Sequence, residues 1–316
     1  MNKTDRLSRR RFLTAAGLTA AAVWLHPRSL FAAETSAVTM IRESGATAKI
    51  NIQKLRGGVS MLEGSGGNIA VLTGRDGKLL VESGVPSSRE RITDALGSLS
   101  ADPVKHVVNT HWHFDHTDGN EWLHASGAEI TAHENTRKHL STTTRVEDWN
   151  FTFPPSPEDA LPTQVFADEK TLQLNGTSVA LKYYGPCHTD GDISVHFGDA
   201  DVFCFGDTWW NGHYPFIDYS TGGSIDGTIR AAAANVARVS DKSLVIPGHG
   251  PVGGKAELQQ FHDMLVAVRE KVSRLKKDGR SLEEVVAAKP TAEYDAKWGG
   301  FVIKGKTFTG LVYKGV

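Results

Sequence analysis

The chain has 316 residues, 40% of them hydrophobic, and a formal net charge of −1, which is ample for a sizeable core in one large domain or two ordinary ones. Basic and acidic residues are mixed along it, so the basic stripe that a nucleic-acid partner demands is missing. With Cys187 and Cys204 as the only cysteines, no disulfide framework staples the fold, and 13 histidines are the one compositional oddity.

Residues 1–33 read as an address. Ser8-Arg9-Arg10-Arg11-Phe12-Leu13 sets adjacent arginines before an apolar run from Phe12 to Leu25. The run is short and rich in alanine and glycine, a poor bilayer span. Charged start, short apolar stretch and small-residue exit follow signal-peptide grammar. The pattern resembles the twin-arginine export signal, Ser/Thr-Arg-Arg-x-Phe-Leu-Lys, with Thr14 in place of the lysine. Cleavage is expected near Ala32-Ala33, although Leu30 and Phe31 break the small-residue rule. The resemblance implies handling by the twin-arginine export machinery, delivery to the periplasm or beyond, and no stable membrane span after processing. The alternative is a basic amphipathic anchor left in place.

Residues 34–316 read as one domain of alternating strands and helices. Ile69 to Val71 and Leu79 to Val81 flank Gly74-Arg75-Asp76-Gly77, a hairpin signal. Ser87-Ser88-Arg89-Glu90 reads as a capping box ahead of a stripe of Ile92, Leu96 and Leu99. A strand follows over 104–109. Pro154, Pro155, Pro157 and Pro162 predict an irregular segment over 141–167, a lid or a connection. Strands are expected over 171–174, 179–184, 193–197, 202–205 and 244–246. Ser224 is placed to cap a helix, and Leu258, Phe261, Leu265, Val268, Val272 and Leu275 step along a long amphipathic one.

The chemistry concentrates in Thr110-His111-Trp112-His113-Phe114-Asp115-His116. Three histidines and an aspartate crowded at a strand end cost stability unless a cation or hydrogen bonds compensate, and imidazole is the commonest metal ligand. Three weaker features share the character: His188 in a turn between strands, Asp207 after the strand ending at Phe205, and His249 after Ile246. Each alone is an ordinary polar cap; together, in this order, they are strong.

With His-x-His-x-Asp-His in first place, the mature chain from Leu80-Val81-Glu82-Ser83-Gly84 to His249 resembles the metallo-β-lactamase-fold hydrolases. The resemblance implies an α/β fold, a four-layer αββα sandwich with the site at one sheet edge. It implies two divalent ions: His111, His113 and His188 around the first, Asp115, His116 and His249 around the second, and Asp207 bridging. Zinc is the default, and a bridging carboxylate also suits iron or manganese. The expected reaction is attack of a metal-bridged hydroxide on an ester, lactone or thioester carbonyl, with Asp115, or a water on the second ion, returning the proton. Two dications less Asp115, Asp207 and hydroxide leave a charge of about +1, which favours a small-molecule substrate with an anionic group.

Asp207 is the informative departure. The β-lactamases of this fold carry cysteine or serine there, so the aspartate tilts the resemblance towards the glyoxalase II-like and lactonase branch. A β-lactam hydrolase and a non-catalytic metal-binding accessory protein are the alternatives. Trp209, Trp210, His213, Tyr214 and Phe216, with Trp112 and Phe114, are expected to divide between an aromatic pocket and plain core packing. Cys187 and Cys204 read as small buried residues. His106, His124, His133, His139, His196 and His262 read as surface or structural, Asp190 and Asp192 as turn residues able to support the ligands.

Overall fold

The computed structural model describes residues 36–64 and 66–316; the export signal expected over residues 1–33 lies outside them. One sheet is built from β1 (Asn51–Lys54), β2 (Val59–Glu63), β3 (Ile69–Leu72), β4 (Lys78–Val81), β5 (Val104–Val108) and β6 (Glu129–His133), neighbours in that order. The pairs from β1 to β4 are antiparallel, and β4, β5 and β6 run parallel. After β7 (Thr144–Val146) and β8 (Phe151–Phe153), which pair with each other, β9 (Gln164–Phe166) joins β6 as a further parallel strand. The second sheet follows in chain order: β10 (Glu169–Leu174), β11 (Thr177–Tyr183), β12 (Ile193–Phe197), β13 (Val202–Cys204) and β14 (Leu244–Ile246). It is antiparallel up to β13, and β14 runs parallel to β13.

Successive strand residues face opposite ways, so each sheet needs cover on two sides. Met61, Leu72, Leu79 and Val81 of the first sheet meet Val179, Val195, Phe197 and Cys204 of the second in a shared buried core. The alternate set, Leu62, Ile69, Val71, Leu80 and Val107, turns outward onto Ile92 and Leu96 and onto Leu123. These belong to helices of residues 89–99 and 120–125. On the far side of the second sheet Phe203, Phe205 and Val245 pack against α-helices Ile225–Arg238 and Lys255–Lys277. Helix, sheet, sheet, helix: this is the four-layer αββα sandwich that the motif resemblance implied. Among the described residues no helix is long and apolar enough to cross a membrane.

The long helix shows the stripe at work. Leu258, Phe261, Leu265, Val268 and Val272 are all fully buried, with Phe308 and Val312 of the C-terminal helix in the same cluster. Leu265→Ala is expected to cost about 2–5 kcal/mol, from lost burial plus the cavity left behind. A urea titration checks it: the midpoint should fall with little change in slope.

Two local expectations change. Ser88 precedes the helix Arg89–Leu99, but its side chain makes no cap to it. Its hydroxyl donates instead to the carbonyl of Gly45 (3.2 Å), and that of Ser87 to the carbonyl of Arg42, so both serines tie down helix Ala37–Ser44. The proline-rich stretch 141–167 holds the β7–β8 hairpin and β9. Its prolines fall outside those strands, and β9 forms because Thr131 to His133 offer a parallel edge, a non-local reason. Ser224 behaves as expected, accepting from the Gly227 amide (3.0 Å).

Candidate metal centre

Every side chain of the cluster sits on a segment that follows a strand. β4 and β5 are parallel with Val81 opposite Val108, so the segments after them travel together. β5 delivers His111 and His113; a one-turn helix, Phe114–Thr117, then turns Asp115 and His116 inward. The β11–β12 connection carries His188. β13 and β14 are parallel with Cys204 opposite Ile246, which sends Asp207 and His249 out side by side. The Gly248 amide donates to the carbonyls of Gly206 (2.8 Å) and Trp209 (3.1 Å), locking those two loops. At two places only glycine fits: a methyl on Gly248 would lie 1.9 Å from Asp207 Oδ1, and one on Gly67 2.1 Å from the His116 ring.

All seven predicted residues are buried and converge. One donor atom each of His111, His113, His188 and Asp207 lie within 4.8 Å of one another, and so do those of Asp115, His116 and His249. Asp207 stands between the sets. Its carboxylate is 3.8 Å from His111 Nε2, 3.4 Å from His188 Nε2, 3.2 Å from His116 Nε2 and 3.5 Å from His249 Nε2. Asp115 Oδ2 is 3.4 Å from His249 Nε2 and 3.6 Å from His116 Nε2.

The donor set fits cations. His111 Nε2, His116 Nε2 and Asp207 Oδ1 are buried without a hydrogen-bond partner, at a cost of about 1–3 kcal/mol for each such group. Two ligand atoms at about 2.1 Å from one zinc, at a tetrahedral angle, sit about 3.4 Å apart. The spacings above are of that size. Imidazole and carboxylate donors suit zinc, and iron or manganese as well.

The electrostatics have the same origin. Burial pushes the His111 pKa well below its ordinary value, and neighbouring His116 adds to that. Burial also penalises charge on His116, but Asp207, Asp115 and Glu82 outweigh it and hold its pKa well above the usual value. Burial opposes ionisation of Asp207 too, yet His116 and His249 keep its carboxyl well below the usual range.

Supporting groups set which ring nitrogen faces inward. His188 Nδ1 is paired with the Phe216 carbonyl (2.9 Å), leaving Nε2 for the cluster. His113 is held the other way: Nε2 meets Asp218 Oδ2 (3.0 Å), and Nδ1 points to His188 Nε2 (2.9 Å). Asp218 also accepts from Thr221 Oγ1 (2.7 Å) and the Ser220 amide (3.0 Å). Sequence reading missed it, since Ile217-Asp218-Tyr219 carries no motif. It also passed over Glu82 as a plain strand residue. Glu82 is fully buried at φ 76°, a left-handed conformation that costs a non-glycine residue about 1–3 kcal/mol. Its carboxylate accepts from the Thr110 amide (3.2 Å) and hydroxyl and lies 3.3 Å from His116 Nδ1.

Asp192 and Asp190 divide. Asp192 is buried and closes the His188 turn, accepting from the Thr189 amide and hydroxyl (both 2.7 Å) and from the Cys187 thiol (3.0 Å). Asp190 pairs with His139 (2.8 Å), away from the cluster. Cys187 and Cys204 are free and buried, with burial raising both thiol pKa values. None of His106, His124, His133, His139, His196 and His262 joins the donor sets.

A cavity of about 830 Å³ opens over the cluster, with His113, Asp115, His188, Asp207 and His249 in its lining. Phe114, Trp149, Trp210 and Phe216 are there too. Trp112, Trp209 and Tyr214 are buried in the helix-side core instead, so the aromatic residues do divide between pocket and packing. Trp149, on the hairpin side of the proline-rich stretch, stacks on Phe216 (4.8 Å between ring centroids).

Comparison with known proteins agrees with this fold. The DIM-1 metallo-beta-lactamase superposes with a TM-score of 0.55 at 21% identity, over 69% of this chain and 97% of that one. A metallo-beta-lactamase from Pontibacter korlensis gives 0.55 at 19%, over 69% and 99%. A double mutant of the sec-alkyl sulfatase PisA1 gives 0.66 at 14%, over 87% of this chain and 52% of that one. At these identities the likeness is one of fold. The family model "Metallo-beta-lactamase superfamily" matches residues 62–255, which is more than half of the sequence, and on that match the chain belongs to this superfamily.

Proposed function

We propose that the protein is a binuclear metallohydrolase acting on a carboxylic ester, thioester or lactone. The observation that carries the reading is the pair of donor sets, joined by Asp207, at the floor of a large and largely apolar cavity. The superfamily consists mainly of metal-dependent hydrolases, and the ligand chemistry here suits that role.

In this reading His111, His113 and His188 would hold one ion, Asp115, His116 and His249 the other, and Asp207 would serve both. Bound there, such ions lower the pKa of water and polarise a carbonyl oxygen. The protein's own groups do the rest. Asp218 and the Phe216 carbonyl fix the tautomers of His113 and His188. Asp115, at the cavity floor, is placed to pass a proton to the leaving group. Trp149 and Phe216 keep water away from the His113 side. An Asp207 in place of cysteine or serine supports the ester and lactone branch over a β-lactam hydrolase.

Two buried carboxyl groups, Asp218 beside His113 and Glu82 beside His116, stand behind the cluster and can offset the charge of about +1, so attraction does not by itself call for an anionic substrate group. Export by the twin-arginine route belongs to the same proposal, and replacing Arg9 and Arg10 by lysine should leave the protein in the cytoplasm.

A panel of esters, thioesters and lactones, a chromogenic cephalosporin and a secondary alkyl sulfate tests the reaction. Turnover of the carbonyl substrates is expected, lost on chelation and restored by zinc, with the cephalosporin slow or untouched. Metal-replete protein inert on the whole panel would point to an accessory, binding role instead.

A further inference from the structure

The cavity above the donor cluster has walls whose chemistry differs from its floor. Its volume of about 830 Å³ lies in the upper range for small-molecule sites. Among the described residues, charge within the lining is confined to the floor: no lysine or arginine contributes, and the only carboxylates are Asp115 and Asp207. Above the floor stand two aromatic walls. On one side Trp149 lies 4.8 Å from the His113 ring and 5.8 Å from Phe114. On the other, Trp210 lies 4.4 Å from the His249 ring, and Phe301 5.9 Å from Trp210.

The gap between those walls is closed by segments far apart in sequence. Val38, Met40 and Ile41 of helix Ala37–Ser44 line it from one end of the chain, Val302 and Ile303 from the other. Three of the five exposed large hydrophobic residues of the described chain sit at this rim: Met40 (53% exposed), Val302 (50%) and Phe301 (37%). Exposed apolar side chains scattered singly are ordinary, but several gathered round the mouth of one cavity mark a binding surface. The small helix is firmly held in place. Arg42 makes a two-point ion pair with Asp118 (2.7 and 3.2 Å) while its guanidinium lies 5.2 Å from the Phe114 ring. Its cation is thereby engaged by the protein and is absent from the lining.

From this the geometry points to a substrate whose reacting carbonyl carries an extended, uncharged alkyl or acyl chain, seated between the aromatic walls and under helix Ala37–Ser44. The inference rests on the hydrolase reading above and names its substrate class. A charged carrier group such as a peptide carboxylate would find no cationic partner in these walls. A hydrocarbon chain would gain about 0.8 kcal/mol per buried methylene, which is about fourfold in affinity or in kcat/KM.

Two readouts test it. The first is binding to metal-free protein of straight-chain methyl ketones from 2-butanone to 2-decanone, followed by the fluorescence of the cavity tryptophans. The second is kcat/KM of metal-replete protein on aryl esters with acyl chains of two to ten carbons. Both are expected to rise about two- to fourfold per methylene until the cavity is filled. Met40→Glu combined with Val302→Glu, both at exposed positions (53% and 50%), should lower the long-to-short ratio at least fivefold. A flat series in both readouts, or a rise that the double variant leaves intact, overturns the inference. Turnover of short esters with a flat series would overturn the chain preference and leave the hydrolase reading standing. A ketone series that rises while no ester is turned over would do the reverse.

Discussion

Asp207→Ala protein is expected to lose both ions and at least about 10³-fold in turnover, some 4 kcal/mol of transition-state stabilisation. The reason is geometric. One carboxylate lies within 3.8 Å of imidazoles from both donor sets, so its removal leaves each set a ligand short and takes away the anion that balances two adjacent cations. A variant at His111 strikes one set alone. Metal analysis after gentle dialysis should therefore fall from about two ions per chain to less than one for Asp207→Ala, and to about one for His111→Ala. Equal losses in the two variants, or an Asp207→Ala protein that keeps a full complement, would remove the bridging role and the binuclear reading with it.

Asp218→Asn is expected to cost about 10- to 100-fold in metal affinity or activity, although the residue touches no ion. Its carboxylate accepts from His113 Nε2, Thr221 and Ser220, and so keeps His113 Nδ1 aimed at the cluster. Asparagine preserves the volume but can present an N–H where His113 already has one. Burial opposes the charge on Asp218, yet the hydrogen bond from His113 prevails and its pKa lies below the ordinary carboxylate value. The ionised form therefore stabilises the fold above the unfolded-state carboxylate pKa, and its contribution is lost progressively as pH falls from there through the depressed folded value. Acid unfolding of Asp218→Asn should accordingly lose part of the wild-type pH dependence below about pH 4. A metal affinity equal to wild type would show that His113 needs no such partner.

The donor residues were legible because so many polar groups packed at one strand end are stable only where a cation or hydrogen bonds compensate them. A single stretch of seven residues supplies four of the donors, and the strands before His188, Asp207 and His249 announce themselves by apolar alternation or a short apolar run. The groups that orient those donors were not legible. Asp218 and Glu82 stand in ordinary sequence, and Glu82 owes its role to a left-handed backbone held by Thr110, a neighbour only because β4 and β5 pair in parallel. The misread capping box has the same cause, since Ser87 and Ser88 found carbonyls on helix Ala37–Ser44 instead of their own helix end.

By itself, then, the order of residues carried the strand and helix periods and the crowded 110–116 stretch, because hydrophobic period and local crowding of like chemistry are properties of adjacent positions, while the layer architecture and the grouping of the seven candidate donors came from the resemblance that stretch carries. Tertiary structure alone decided which ring nitrogens face inward, where β9 pairs, and that Val38 and Val302 wall one cavity. Those depend on parallel register and on segments more than 250 residues apart meeting in space, and neither leaves a periodic trace in the chain.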